Sequence, residues 1–291
     1  MILLAKVCRA RNRFYKNETL TYRGLNNLEY ANNLGFSEAL NIEKNPYPQG
    51  AFGGNSYIPL SIMKLQELED EALDIEGQLG DAIERRCEDL SKIVSQDCSE
   101  ELRMTLARSF CEIFRNCFEH GKSESAVFCA QYWPKLDTVE ICIADRGIGV
   151  FESLCESKHT NPNNDDEALA YSLMPGISSK AWRYKKKKAV QKTVWDNSGY
   201  GLFLAHQLFG KLGHFFIASG NSALYLDADR YQKMDCSIEG TIVSMRMKLS
   251  DEKSIIDALK TTQNLAVEVK ETLGVKSLKI ASVEAFIKSG R

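Results

Sequence analysis

LRMTLARSFCEIFRNCFEHG, residues 102–121, is the stretch whose reading decides the rest. Leu102, Leu106, Phe110, Ile113 and Cys117 recur at helical spacing, and Gly121 is placed to end the helix. Ser99 is a candidate N-cap, with Glu100 and Glu101 in the first turn, where the helix dipole favours acids. Glu112 and Asn116 stand four apart, so their side chains stack on one face, and Glu119 and His120 follow within a turn. A carboxylate and a carboxamide on one face can orient a water or hydroxyl and hold a hard cation. Mg²⁺ in particular takes few protein oxygens, several waters and a polyphosphate, so a single Asn suits it. Taken alone, the pattern equally describes an amphipathic helix whose polar side faces water.

Three segments further along change that balance. DTVEICIADRGIGV (137–150) is an alternating strand that runs into Asp145, Gly147 and Gly149, and SAVFCAQYW (125–133) precedes it as a hairpin partner around Pro134 and Lys135. DNSGYGLFLAHQLFGKLG (196–213) is a glycine turn opening a helix, whose unpaired N–H groups make an anion site. EGTIVSMRMKL (239–249) is a strand beginning with Gly-Thr, and HFFIASGN and SALYLDAD precede it as two more strands. The chain has no Walker loop, and the glycine turn lacks the third glycine of a dinucleotide fingerprint.

In that order, the four pieces resemble the ATP site of the GHKL superfamily, which includes gyrase B, the ninety-kilodalton heat-shock chaperone, histidine kinases and MutL. The resemblance covers residues 99–249, and CEIFRNCFEHG is most similar to the anti-sigma-factor serine kinases. It implies a Bergerat-type α/β sandwich: a mixed sheet with helices on one face. It also implies ATP and Mg²⁺ as cofactors. Glu112 would activate the attacking nucleophile and Asn116 would bind Mg²⁺. Asp145 would accept a hydrogen bond from the adenine amino group, with the Thr241 hydroxyl nearby. Gly147 and Gly149 would let the backbone approach the nucleotide, and Asn197, Ser198, Gly199, Gly201 and Leu202 would surround the phosphates. Residues 151–198 would form an ATP lid; within them Asn and Asp recur at 161–166, DDEALAYSLM (165–174) reads as a helix, and a lysine run lies at 185–188. Plainer readings stand beside these: Asp145 starting a tight glycine turn, and His120 complementing a helix C-terminus.

The 291 residues leave room for two compact domains or one large one. With 37 basic and 39 acidic residues the net charge is −2, which carries no electrostatic argument for nucleic acid or an anionic membrane. No apolar run reaches membrane-span length, and the opening MILLAKVC reads as a first strand, not a signal segment. Nine cysteines without a C-x-x-C read as small hydrophobes in a reducing cytoplasm. We expect a small α/β module over 1–60, with a loop at 45–59 leading into a short strand. A helical connector follows over 61–98, the ATP domain over 99–250 and a helical extension over 251–291.

In the connector, Ile62, Leu65, Leu68 and Ile75 form one stripe and Leu79, Ile83, Leu90 and Val94 another. These helices either pack on the ATP domain or pair with a second copy as a homodimer. Three functions are open: an ATPase or serine/threonine kinase acting on a protein partner, an ATP-occupancy switch without catalysis, and a histidine kinase. The last ranks lowest, because none of His120, His159, His206 and His214 lies in an H-[ED]-x-x-x-P phosphoacceptor motif.

Overall fold

The computed structural model describes residues 55–96, 98–156, 161–177 and 200–272 (backbone alone from 266), with Gly35 and Ile287. In chain order these form β1 (Tyr57–Lys64), α1 (Leu65–Asp74), α2 (Leu79–Ser95) and α3 (Glu100–Arg115), which runs into a π-helical turn (Asn116–His120). Then come β2 (Ser125–Trp133), β3 (Thr138–Asp145), α4 (Gly149–Cys155), α5 (Asp165–Ser172), α6 (Gly201–Leu212), β4 (Gly213–Asp227), β5 (Tyr231–Lys248) and α7 (Glu252–Thr272). The protein is an α/β fold around a five-stranded sheet of order β1-β2-β3-β5-β4.

Every pairing in that sheet is antiparallel. The expected mixed sheet is therefore corrected, and the topology gives the reason. After β3 the chain crosses through α4, α5 and α6 and returns as β4 in the same direction as β3. It then turns back as β5, which inserts between the two parallel strands and separates them.

The alternation read in β3 sets the two faces of the sheet. Phe128, Ile141, Met245 and Phe215 lie on one face and join the helices in the main core. The other face gathers a smaller cluster of strand residues, among them Cys129, Cys142, Ala144 and Ile242. All the helical partners in these two clusters lie on the first face.

α3 is the central helix. The Ser99 hydroxyl accepts the Leu102 N–H at 3.3 Å, and Leu102, Leu106, Phe110 and Ile113 are buried as their spacing predicts. Phe114 meets Phe128 edge-on with centroids 5.2 Å apart, locking α3 to β2. Each such fully buried large side chain contributes about 1.5–3 kcal/mol.

The connector differs from its reading in two places. Residues 61–64 are strand: β1 is an edge strand carrying Pro59, and it pairs with β2 in the main sheet. Ile62 and Ile75 are exposed, so the first stripe is not a helical face. The second stripe holds, with Ile83 and Val94 buried in the core that α3 shares. The break between the two helices falls at 75–78, and the Gln78 N–H donates to Asp81 at 2.7 Å in a capping box.

HFFIASGN and SALYLDAD are one strand, β4, because the polar break between them is a bulge at Gly220–Ser222 within continuous pairing to β5. Within the stretch expected as a lid, α5 forms where DDEALAYSLM reads as a helix. Ala168, Leu169, Ala170 and Leu173 are fully buried, and α5 packs on β4. The Asn and Asp residues at 161–166 cap α5 through Asn164 and bind the bulge, Asp165 accepting from Asn221 and Asp166 from Ser222. The lysine run at 185–188, the module over 1–54 apart from Gly35, and most of 273–291 lie outside the described residues. No helix among the described residues is long and apolar enough to cross a membrane.

Candidate functional site

A cleft enclosing about 950 Å³ of empty space, counted out to its open mouth, lies between the helix layer and one end of the sheet. Glu112, Asn116, Asp145, Gly149, Gly201, Leu202 and Thr241 all line it. They come from α3, the π turn, the end of β3, the start of α4, the start of α6 and β5.

Strand register builds the floor. Ala144 pairs with Ile242 and Ser219 with Thr241, so Asp145, Thr241 and Ser219 form a row across β3, β5 and β4. Asp145 is 3% exposed, and its Oδ1 accepts the Gly147 N–H at 2.7 Å. The tight-turn reading of Asp145 is thus present in the structure, and the same carboxyl lines the cleft. Ser219 carries no signal in the sequence, yet it ties the floor together. Its hydroxyl accepts the Val150 N–H at 2.9 Å, donates to the Gly240 carbonyl at 3.0 Å and lies 3.3 Å from the Thr241 hydroxyl. Apolar walls rise from Ile143, Val243 and Ile217.

Gly147 is not at the cleft surface. A Cβ there would meet the Gly121 carbonyl oxygen at 1.9 Å, and the Ile148 N–H donates to that same oxygen at 2.8 Å. This glycine is needed for close approach to the end of the π turn. Gly149 does face the cleft, with a φ of +78°.

The opposite wall is α3 and the π turn. The Gly121 N–H donates to the Asn116 carbonyl at 2.7 Å, a five-residue bond that widens the last turn where Asn116 lies. Glu112 reaches across to α6, so that a Cβ on Gly201 would fall 2.0 Å from its Oε2. A carboxylate therefore lies against the first turn of α6, where the dipole and unpaired N–H groups favour an anion. Arg115, which the sequence reading passed over, also lines this wall. Its Nε donates to Glu119 Oε1 at 2.9 Å, and its Nη1 is 3.7 Å from Glu112 Oε1. Burial opposes the guanidinium charge, but the Glu119 hydrogen bond and the two carboxylates outweigh it and raise its pKa. His120 lines the cleft as well. Asn197, Ser198 and Gly199 lie outside the described residues, so of the expected phosphate turn only Gly201 and Leu202 are seen in place.

No cluster of three or more His, Cys, Asp or Glu that could hold a metal occurs among the described residues. The cysteines described are free thiols, and burial pushes the Cys129 thiol up to about 11. The chain gives no significant match to any protein-family model, curated protein or solved structure.

Proposed function

We propose that the protein is a cytoplasmic Mg-ATP-binding regulator of the GHKL type, with a Bergerat-like domain over 99–250, which hydrolyses ATP or transfers its γ-phosphate to a partner protein. The observation that carries this reading is the convergence on one cleft of Asp145 and Thr241 from the sheet with Glu112 and Asn116 from α3 and the π turn. A buried carboxylate between apolar walls suits a flat base with an exocyclic amine. A helix N-terminus across the cleft suits phosphate. Glu112, on the same wall, is placed to hold and accept the proton of an attacking water or hydroxyl, the one chemical group that phosphoryl transfer needs beyond positioning and charge.

The donor set fits Mg²⁺ better than a transition metal. With no multi-residue acidic or thiolate cluster among the described residues, Asn116 would supply the protein oxygen, and the ligand and water would supply the others. Mg²⁺, when bound, would neutralise phosphate charge.

One observation favours the second reading, an ATP-occupancy switch without catalysis. The Glu112 carboxylate already rests on Gly201 and faces Arg115, which is what a structural wall residue would do. The α2 stripe is consumed by the core, so a homodimer through 61–96 would use other surfaces, such as α1, where Leu73 is 76% exposed, or the β1 edge, where Ile62 is exposed.

Titration calorimetry with ATP and Mg²⁺ tests the reading, with binding expected at micromolar strength or weaker, roughly −6 to −8 kcal/mol. Asp145→Asn keeps an acceptor for the Gly147 N–H, so the fold should survive. It should weaken ATP tenfold or more, about 1.5–3 kcal/mol, and bare tripolyphosphate hardly at all. Folded wild type that ignores ATP ends the proposal.

A further inference from the structure

We propose that Arg115 is the phosphate-contacting residue of the cleft, held in place by Glu119; the inference rests on the polyphosphate-binding reading of the site. Charge is the first argument. The described lining carries two carboxylates, Glu112 and Asp145, and Arg115 is the one arginine or lysine among the described residues that line it. A polyphosphate brings several more negative charges to this wall, and carboxylates alone would repel it.

Geometry is the second argument. Arg115 is the last residue of α3, directly before Asn116, so its guanidinium lies on the same wall as the two residues already assigned there. Glu119, one turn on, takes Nε at 2.9 Å and Nη2 at 3.5 Å. That grip fixes the plane of the fork and removes most of the rotamer freedom a long cation would lose on binding. It also turns Nη1 towards Glu112, at 3.7 Å, too far for a direct hydrogen bond. The Glu112 carboxylate in turn covers the first turn of α6 at Gly201. An anion arriving at that helix end therefore comes beside Nη1, where a guanidinium binds phosphate oxygens with charge-assisted hydrogen bonds. Arg115 thus has an anchor, Glu119, and a working end, Nη1, which in the ligand-free protein faces Glu112.

Calorimetry with three probes, sodium tripolyphosphate, ATP and adenosine, on wild type, Arg115→Ala and Arg115→Lys tests the assignment, with thermal melts as the folding control. Arg115→Ala should weaken tripolyphosphate and ATP about 10- to 100-fold and leave adenosine within about twofold. Arg115→Lys keeps the charge but loses the fork and should recover part of the loss. If tripolyphosphate affinity is unchanged in both folded variants, or if all three probes weaken equally, Arg115 is a structural partner of Glu119 and the assignment is overturned. If wild type binds tripolyphosphate through Arg115 but takes ATP no better than tripolyphosphate, the nucleotide reading fails while Arg115 keeps its role. If wild type binds none of the probes, both fall together.

Discussion

The floor and the helical wall of the cleft are built by different means. The floor is backbone. The turn from Asp145 to Val150 is pinned to its own carboxylate, to the Gly121 carbonyl and to the Ser219 hydroxyl, with heavy-atom distances of 2.7, 2.8 and 2.9 Å. The wall is side chain, a row of alternating charges, Glu112, Arg115 and Glu119, on the end of one helix. Backbone N–H groups held at the end of interior strands cannot change partners without disturbing those strands, whereas charged side chains can when a ligand brings charge of its own. The difference teaches that the floor should govern stability and shape, and the wall chemistry and response.

The largest expected effect is on the wall. Glu112→Ala should cut ATP turnover by roughly two to four powers of ten, the usual worth of a positioned base. It should leave the unfolding free energy within about 1 kcal/mol, since the lost contact is a carboxylate at a helix end. Equal turnover in wild type and variant would promote the occupancy switch and show that the wall is as structural as the floor.

Next comes the floor. Gly147→Ala places a methyl group against the Gly121 carbonyl and should cost about 2–3 kcal/mol in urea unfolding, with nucleotide binding lost in parallel. A cost near zero would mean that the 145–150 turn can slide, and that the contrast between rigid floor and adjustable wall is false.

Ser219→Ala is smaller and sharper. It deprives the Val150 N–H of its acceptor and should cost about 1–2 kcal/mol, with affinity falling while any turnover at saturation holds. A drop in turnover instead would place the floor within the chemistry.

These contrasts also separate what could be read from what could not. α3, its N-cap at Ser99, the β2–β3 hairpin and the helix after Gly201 were legible, because periodicity and capping act over a few residues. The role of Gly147 was not, since the carbonyl it accommodates belongs to Gly121, far along the chain. The Asn and Asp run at 161–166 was legible as a polar stretch leading into a helix, but its partners were not, because they lie on β4: its side chains cap α5 and bind the bulge. Arg115 falls off the four-residue step from Glu112 to Asn116 and carries no motif of its own. The cue for it was Glu119, four residues further on and able to hold an arginine towards the same wall.

By itself, then, the sequence determined the local elements and the presence of a helix bearing Glu112 and Asn116, a strand ending in Asp145 and a strand starting near Thr241. Each follows from the spacing of apolar residues and from caps, turns and glycines within reach of a single turn or hairpin. Only the tertiary structure decided that β5 inserts between β3 and β4, and this insertion sets Thr241 and Ser219 beside Asp145. Only it decided that the Glu112 carboxylate lies against Gly201 on α6. Strand order and the approach of two helices depend on how the whole apolar face of the sheet is covered, and no window of the sequence contains that information.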